Sequence, residues 1–142
     1  MDKFNWTKEY SVKVEMLDEQ HQHFLEIVNK VADFINNKES KKEVLTDIIH
    51  QLGNYAFYHL GTEEELFDKY GYGDKVSHLE AHNKFREVTM NYIDRIGKSD
   101  HTIEELDQLS EEVAEYAGNW LLKHILVVDK KYSEFFNEHG VK

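Results

Sequence analysis

Apolar residues recur every three or four positions in long stretches of this chain, and no proline interrupts them. This spacing places the apolar side chains on one face of a helix. Proline removes a backbone hydrogen bond and breaks a long helix, so its absence lets each stretch run on. With only seven glycines, the chain also has few of the turn residues that a many-stranded fold uses. The sequence therefore predicts long helices.

The bounds of the helices follow from where each apolar stripe begins and ends. We predict helices over residues 18–37, 41–69, 75–96 and 102–137. Asp18 is the expected N-cap of the first helix, and Asp100 or Thr102 that of the last. Gly97 is expected to end the third helix as a C-terminal glycine cap.

Short connections between the predicted helices make consecutive helices antiparallel neighbours. We therefore expect an all-α fold, an antiparallel up-down-up-down four-helix bundle. Residues 1–17 carry apolar side chains without helical spacing, and we expect an extended N-terminal arm there. A chain of 142 residues suffices for one core, so we expect a single domain over residues 1–142.

The charge balance excludes several classes of partner. Seventeen basic and 28 acidic residues give a net charge of -11, which repels nucleic acid and anionic membrane surfaces. No apolar run is long enough to span a membrane, and the polar opening residues do not resemble a signal peptide. We expect a cytoplasmic protein with no nucleic-acid or membrane partner. Without cysteine, any metal must be held by imidazole and carboxylate groups.

Five of the nine histidines lie on the apolar stripes. Buried imidazoles lose hydration and repel one another when protonated, and a bound metal removes both problems. In the predicted topology these histidines and two carboxylates converge near one end of the bundle. The candidate metal ligands are His21, His59, Glu63, His78, His82, His124 and Asp129.

This donor set favours a first-row transition metal, because calcium and magnesium prefer oxygen ligands. A structural zinc uses four ligands and a catalytic zinc three, so seven are too many for one zinc. Two six-coordinate ions with bridging carboxylates and a bridging hydroxide would use all seven and leave one position open. An open position is where a small molecule can bind.

Four ordered motifs resemble the bacterial hemerythrin family. They are Asp18-Glu19-Gln20-His21, His59 to Glu64, His78 to His82 followed by Phe85, and Trp120 to Ile125 with Asp129. Nearly the whole chain takes part in this resemblance. It implies a non-haem site of two iron ions (Fe2+/Fe3+) with a bridging oxo or hydroxo group and dioxygen as the ligand.

The resemblance also implies how the ligands divide. His78, His82 and His124 would hold one iron, and His21 and His59 would hold the other and keep the open position. Glu63 and Asp129 would bridge the two. We expect reversible oxygen binding for storage, delivery or scavenging and no enzymatic role beyond minor oxidase or peroxidase activity.

A dry pocket beside the site is needed if oxygen binding is to stay reversible. Its expected lining is Leu25, Leu121, Ile125 and Val128, which are one turn from ligands or on the same stripe. Lys13 departs from the resemblance, because the family's arm often has glycine there.

His124 and Asp129 are five residues apart, or about 140° around a regular helix. Such a helix would not direct both side chains at one cluster. We predict a π-bulge or an equivalent distortion between these residues.

Other functions fit parts of this pattern. A di-iron oxidase, peroxidase or ferroxidase is one, but no Glu-x-x-His motif typical of ferritin-like sites occurs. A module that senses oxygen, nitric oxide or iron is another, and a bundle that binds zinc or no metal is a third. We expect a free-standing monomer or weak oligomer, with an oxygen-consuming enzyme as the candidate recipient.

Overall fold

The computed structural model describes residues 2–35, 41–98 and 100–142. It is all helical in these ranges, with a short 3₁₀ turn at Lys8–Tyr10 before the first long helix. The helices are α1 (Glu15–Ile35), α2 (Lys42–Tyr70), α3 (Lys75–Lys98), α4 (Ile103–His124) and α5 (Lys130–Glu138). A π-helical turn, Ile125–Asp129, joins α4 to α5 in one continuous rod. The predicted end of the first helix at residue 37 lies outside the described residues.

The predicted antiparallel four-helix bundle is confirmed. Helix α1 packs against α2 and α4, and α2 packs against α3. Aromatic rings bridge α3 and α4, where Phe85 and Trp120 have centroids 4.2 Å apart. One core of buried apolar side chains runs between the helices. In the described part of the chain, no helix is both long and apolar enough to cross a membrane.

The prediction that Asp18 caps the first helix is wrong, because α1 begins three residues earlier. The Asp18 carboxylate instead accepts hydrogen bonds from the Val12 N–H at 2.8 Å and the Ser11 hydroxyl at 2.6 Å. Its effect is to fasten the N-terminal arm to α1. Lys13 lies between these partners and the helix with a φ of 61°, a left-handed conformation that favours glycine.

Two further segments hold the arm on the bundle. The Asn29 side chain exchanges two hydrogen bonds with the backbone of Phe4, at 2.9 and 2.8 Å. From α5, the Ser133 hydroxyl donates to the Val12 carbonyl, and the Asn137 amide donates to the Lys13 carbonyl at 2.9 Å. The arm is therefore bonded to both the first and the last helix.

The ends of the helices match the predictions in part. Thr102 caps α4 as predicted, and it forms a capping box in which its hydroxyl accepts from the Glu105 N–H at 3.1 Å. The prediction that Gly97 ends the third helix is wrong, because α3 continues through Gly97 to Lys98.

Candidate metal centre

Helices α1 to α4 and the π-helical turn contribute side chains to one buried group of histidines and carboxylates. His21 comes from α1, and each of the next two helices contributes a pair of residues four positions apart. His124 ends α4, and Asp129 ends the π-helical turn. The members are His21, His59, Glu63, His78, His82, His124 and Asp129, each at most 5% exposed. The structure thus brings together all seven residues that the sequence predicts as ligands.

The five-residue step between His124 and Asp129 is accommodated by the π-helical turn. The Lys130 N–H reaches back to the Ile125 carbonyl, five residues earlier, in place of the usual four. The extra residue turns Asp129 toward the side of the helix that carries His124. The predicted distortion is confirmed, and it places the two side chains 3.0 Å apart, from His124 Nε2 to Asp129 Oδ1.

Asp129 lies against three imidazoles. Its Oδ1 atom is 2.8 Å from His78 Nε2 and 3.0 Å from His124 Nε2. Its Oδ2 atom is 3.1 Å from His21 Nε2. One carboxylate therefore connects histidines from three different helices.

Glu63 is the second shared carboxylate. Its Oε1 atom is 3.2 Å from His82 Nε2 and 3.6 Å from His59 Nε2, and its Oε2 atom is 3.7 Å from His21 Nε2. Oε2 also accepts a hydrogen bond from the buried Tyr132 hydroxyl. The Nε2 atoms of all five histidines thus face one of the two carboxylates.

The ligand atoms form two groups, each within 4.8 Å. One contains His78, His82 and His124, and the other contains His21 and His59. Both groups include Glu63 and Asp129. The arrangement can hold two cations that share the two carboxylates.

The hydrogen bonding of these atoms fits a metal. Within the described residues, four inward-facing atoms are buried without a hydrogen-bond partner: His21 Nε2, Glu63 Oε1, His82 Nε2 and Asp129 Oδ2. Buried polar atoms are normally paired. His78 Nε2 and His124 Nε2 are 3.2 Å apart and share Asp129 Oδ1. Cations among these lone pairs would satisfy all of them, so the residues fit a di-iron centre.

Burial and mutual contact shift the pKa values in this group. Burial disfavours a charged His21, but the facing carboxylates of Asp129 and Glu63 outweigh it and raise the pKa of His21 to about 9. Burial lowers the pKa of His59 to about 4. Burial and mutual repulsion favour the neutral form of Glu63, yet the surrounding histidines hold its pKa low. The pKa of Asp129 is likewise lowered against the effect of burial, chiefly by His124. Both carboxyl groups are thus ionised.

Side chains outside the group form hydrogen bonds with the Nδ1 atoms of two candidate ligands. The spacing of the candidate ligands in the sequence did not predict these side chains. Gln20 Oε1 lies 2.7 Å from His59 Nδ1. Glu64 Oε2 lies 2.8 Å from His82 Nδ1, and Arg86 binds both oxygens of Glu64. Gln20 and Glu64 each stand next to a ligand in the sequence, and this adjacency was the available signal. Tyr132 supports Glu63 in the same way, because its hydroxyl donates to Glu63.

The predicted pocket residues differ in burial. Leu25, Leu121 and Ile125 are buried, whereas Val128 is half-buried. Leu121 lies one turn before His124 in α4, and Ile125 follows His124 directly as the first residue of the π-helical turn. The other four histidines lie outside this group: His23, His50 and His139 are exposed, and His101 is half-buried.

Comparisons of the sequence and of the structure with known proteins agree on one family. The profile described as "Hemerythrin HHE cation binding domain" matches residues 12–136. The chain is 27% identical over 131 residues to a bacteriohemerythrin of Clostridium acetobutylicum, covering 91% of this chain and 98% of the relative. It is 29% identical over 131 residues to a bacteriohemerythrin of Methylococcus capsulatus, covering 89% and 92%. A crystal structure of wild-type hemerythrin superposes with a TM-score of 0.78 at 25% identity, covering 92% of this chain and 95% of that one.

Proposed function

The chain belongs to the hemerythrin family of HHE cation-binding domains, and on that premise we propose that it binds dioxygen reversibly at a non-haem di-iron site. The observation that carries the proposal is the convergence of five buried imidazoles on two shared carboxylates. His78, His82 and His124 would hold one iron, and His21 and His59 the other. Glu63 and Asp129 would bridge them.

Each group in the site has a distinct part in this function. Two iron ions would supply the electrons and the open coordination position that dioxygen requires. The ionised Glu63 and Asp129 offset the positive charge. The imidazoles would present neutral nitrogen ligands, after a metal displaces the proton that the raised pKa leaves on His21. The Tyr132 O–H fixes Glu63 by donating to its Oε2 atom. We propose that Leu25, Leu121, Ile125 and Val128 exclude water from the oxygen pocket.

The donor set supports binding over turnover. A site with five neutral imidazoles and only two carboxylates offers few anionic ligands to stabilise high-valent iron. Storage, delivery or scavenging of oxygen is therefore proposed in preference to oxidation of a substrate. The proposal includes a cytoplasmic location and a monomer or weak oligomer, which cell fractionation and analytical ultracentrifugation test.

Iron counting combined with a visible spectrum tests the proposed function. The purified protein should contain two irons per chain. After anaerobic reduction, admitting oxygen should produce a visible charge-transfer band, and removing oxygen should abolish it. His59→Ala should lose metal and the reversible band, whereas His50→Ala, a change at an exposed histidine on the same helix, should keep both. A colourless protein with one metal per chain would contradict the proposal.

The pocket has its own test. Leu121 is 1% exposed and precedes the ligand His124 by three residues. Leu121→Asn would introduce a polar group that helps water and protons enter, so autoxidation should become faster. Leu122→Asn, at the half-buried neighbouring position, is the matched control. An unchanged autoxidation rate in Leu121→Asn would remove Leu121 from the pocket.

A further inference from the structure

Two of the inward-facing histidines are held from behind by side chains of different charge. His59 Nδ1 lies 2.7 Å from the amide oxygen of Gln20, which is 6% exposed. His82 Nδ1 lies 2.8 Å from a carboxylate oxygen of Glu64. One histidine belongs to each of the two ligand groups that share Glu63 and Asp129. The two halves of the site thus have different outer partners.

Both partners set the orientation and tautomer of their histidine. An ionised carboxylate can only accept a hydrogen bond, so His82 carries its proton on Nδ1. This leaves the Nε2 lone pair free to face the centre, where Glu63 Oε1 lies 3.2 Å away. The oxygen of Gln20 has the same effect on His59. The two contacts therefore serve one geometric purpose.

Their electrostatic effects differ. A carboxylate behind a ligating imidazole makes it a stronger electron donor, and a neutral amide does so less. Arg86 holds Glu64 in place through two hydrogen bonds of 2.8 Å, one to each oxygen. Such a bidentate pair keeps Glu64 ionised and fixed toward His82. Removing Arg86 would change the charge and the position of Glu64 together, so Arg86 is kept in every test variant.

We infer that Glu64 and Gln20 make the two metal positions electronically unequal. Glu64 would make His82 the stronger donor to a metal held with His78 and His124, and so favour the higher oxidation state there. Gln20 would leave His59 a weaker donor to a metal in the other half. Glu64 and Gln20 are positioning residues, since they act only through their histidines. The inference rests on the proposed function, because it requires two metals in the seven-residue site.

A pair of charge-changing substitutions of nearly equal shape tests the inference. Glu64→Gln keeps an acceptor behind His82 but removes the charge, and Gln20→Glu adds a charge behind His59. The reduction potential of the iron-loaded protein should rise in Glu64→Gln and fall in Gln20→Glu. If Gln20→Glu does not fold, the direction of the shift in Glu64→Gln and the Co2+ affinity of that variant decide the inference. If Glu64 and Gln20 only held their histidines in place, both substitutions would shift the reduction potential in the same direction.

A second measurement does not depend on oxygen chemistry. Competition of the protein with a chelator for Co2+ should show affinity in Glu64→Gln weaker by about tenfold, at the lower end of the usual effect of outer-shell changes. Glu64→Ala, which also removes the acceptor, should lose more, up to about a hundredfold. The Nδ1–H signal of His82 in a nitrogen-15 NMR spectrum should persist in Glu64→Gln and be lost or broadened in Glu64→Ala.

The outcomes separate the two proposals. If the wild-type protein holds two irons but Glu64→Gln changes neither the potential nor the Co2+ affinity, the inference is wrong and the proposed function stands. The inference is also wrong if Glu64→Gln and Gln20→Glu shift the reduction potential in the same direction. A wild-type protein that holds fewer than two metals overturns the proposed function and this inference together.

Discussion

The role of Tyr132 in the site depends on one hydrogen bond to Glu63. Its side chain is fully buried, and its hydroxyl donates a hydrogen bond to Glu63. The ring also lies parallel to His78, at 5.7 Å between centroids and 11° between planes. Burial raises the pKa of Tyr132 well above its ordinary value, and the charges of Asp129 and Glu63 add to this. The hydroxyl is therefore a fixed proton donor to Glu63.

Tyr132→Phe should destabilise the protein through Glu63. The ring still fills its place, but the buried carboxylate loses a donor, which costs about 1.5–3 kcal/mol for a hydrogen bond to a charged group. Urea unfolding followed by circular dichroism measures the change. Tyr58→Phe, at a side chain that is 60% exposed, should change the free energy of unfolding by less than about 0.5 kcal/mol. Equal stability of wild type and Tyr132→Phe would show that the hydrogen bond contributes nothing.

For individual residues, the sequence predicted the candidate ligands but not the side chains that hydrogen-bond to them from outside the group. The spacing of His59 with Glu63 and of His78 with His82 is a local property of a helix, so it is visible in the chain itself. The contacts of Gln20 with His59 and of Glu64 with His82 cross between helices. They depend on how the helices are rotated and on side-chain rotamers, which no local pattern specifies.

Among the elements, the π-helical turn has the clearest consequence for the site. Inserting one alanine after Val127, which is 54% exposed, would make a six-residue step between His124 and Asp129 that this turn does not accommodate. In a helix that continues regularly, the added residue rotates Asp129 and all of α5 by about 100° relative to α4. The insertion should lower bound iron well below two per chain while most of the helical circular dichroism signal remains.

Val127→Ala is the length-preserving control for this insertion. It keeps the five-residue step from His124 to Asp129, and iron content should stay at the wild-type value. Full iron content in the insertion variant would mean that the site tolerates a displaced Asp129. The proposed role of the π-helical turn in building the site would then be wrong.

Two glycines within helices should respond to alanine in opposite ways. A Cβ atom on Gly118 would lie 2.4 Å from the ring of Phe4, so Gly118→Ala must displace this ring of the N-terminal arm. Such overpacking costs about 1–3 kcal/mol, which exceeds the gain of about 1 kcal/mol in helix propensity. A Cβ atom on Gly61 meets nothing within 4 Å, so Gly61→Ala should stabilise the protein by up to about 1 kcal/mol. Chemical denaturation of both variants compares the signs, and a stabilised Gly118→Ala would contradict the close approach.

The element scale also separates what the sequence could and could not predict. The apolar stripes predicted the long helices, and the five-residue step predicted the π-helical turn, because both are periodic features of the chain. The start of α1 at Glu15 was not predicted, because Asp18 has partners in the irregular arm, six and seven residues earlier, that outweigh its local preference for capping. Gly97 does not adopt the left-handed conformation that a C-terminal glycine cap requires, so α3 continues through it.

For the whole molecule, bound metal should determine much of the stability. The candidate ligands come from every long helix, so a metal that binds them stabilises the complete bundle and not one segment. A ligand at a hundred times its Kd adds about 2.7 kcal/mol to the free energy of unfolding. Removing the metal with a chelator should therefore lower the melting temperature by roughly 10 °C for a chain of this size.

Thermal melts with and without chelator, followed at the helical band, measure this effect. His59→Ala should show a smaller difference between the two conditions, since it lacks a proposed ligand. Equal melting temperatures for wild type with and without metal would mean that the cluster is stable without it. A melt in which one helix unfolds separately would contradict the stabilisation of the bundle as a unit.

The bonds between the arm and α5 also constrain the order of events during synthesis. Ser133 and Asn137 hold Val12 and Lys13 across more than 120 residues of sequence. The arm can bind α1 early, but it cannot complete its contacts until α5 has left the ribosome. His124 and Asp129 also emerge after the other five candidate ligands, so the growing chain exposes an incomplete set of histidines first. Metal loading at the complete set would accordingly be a late step, at the stage when the N-terminal arm meets α5.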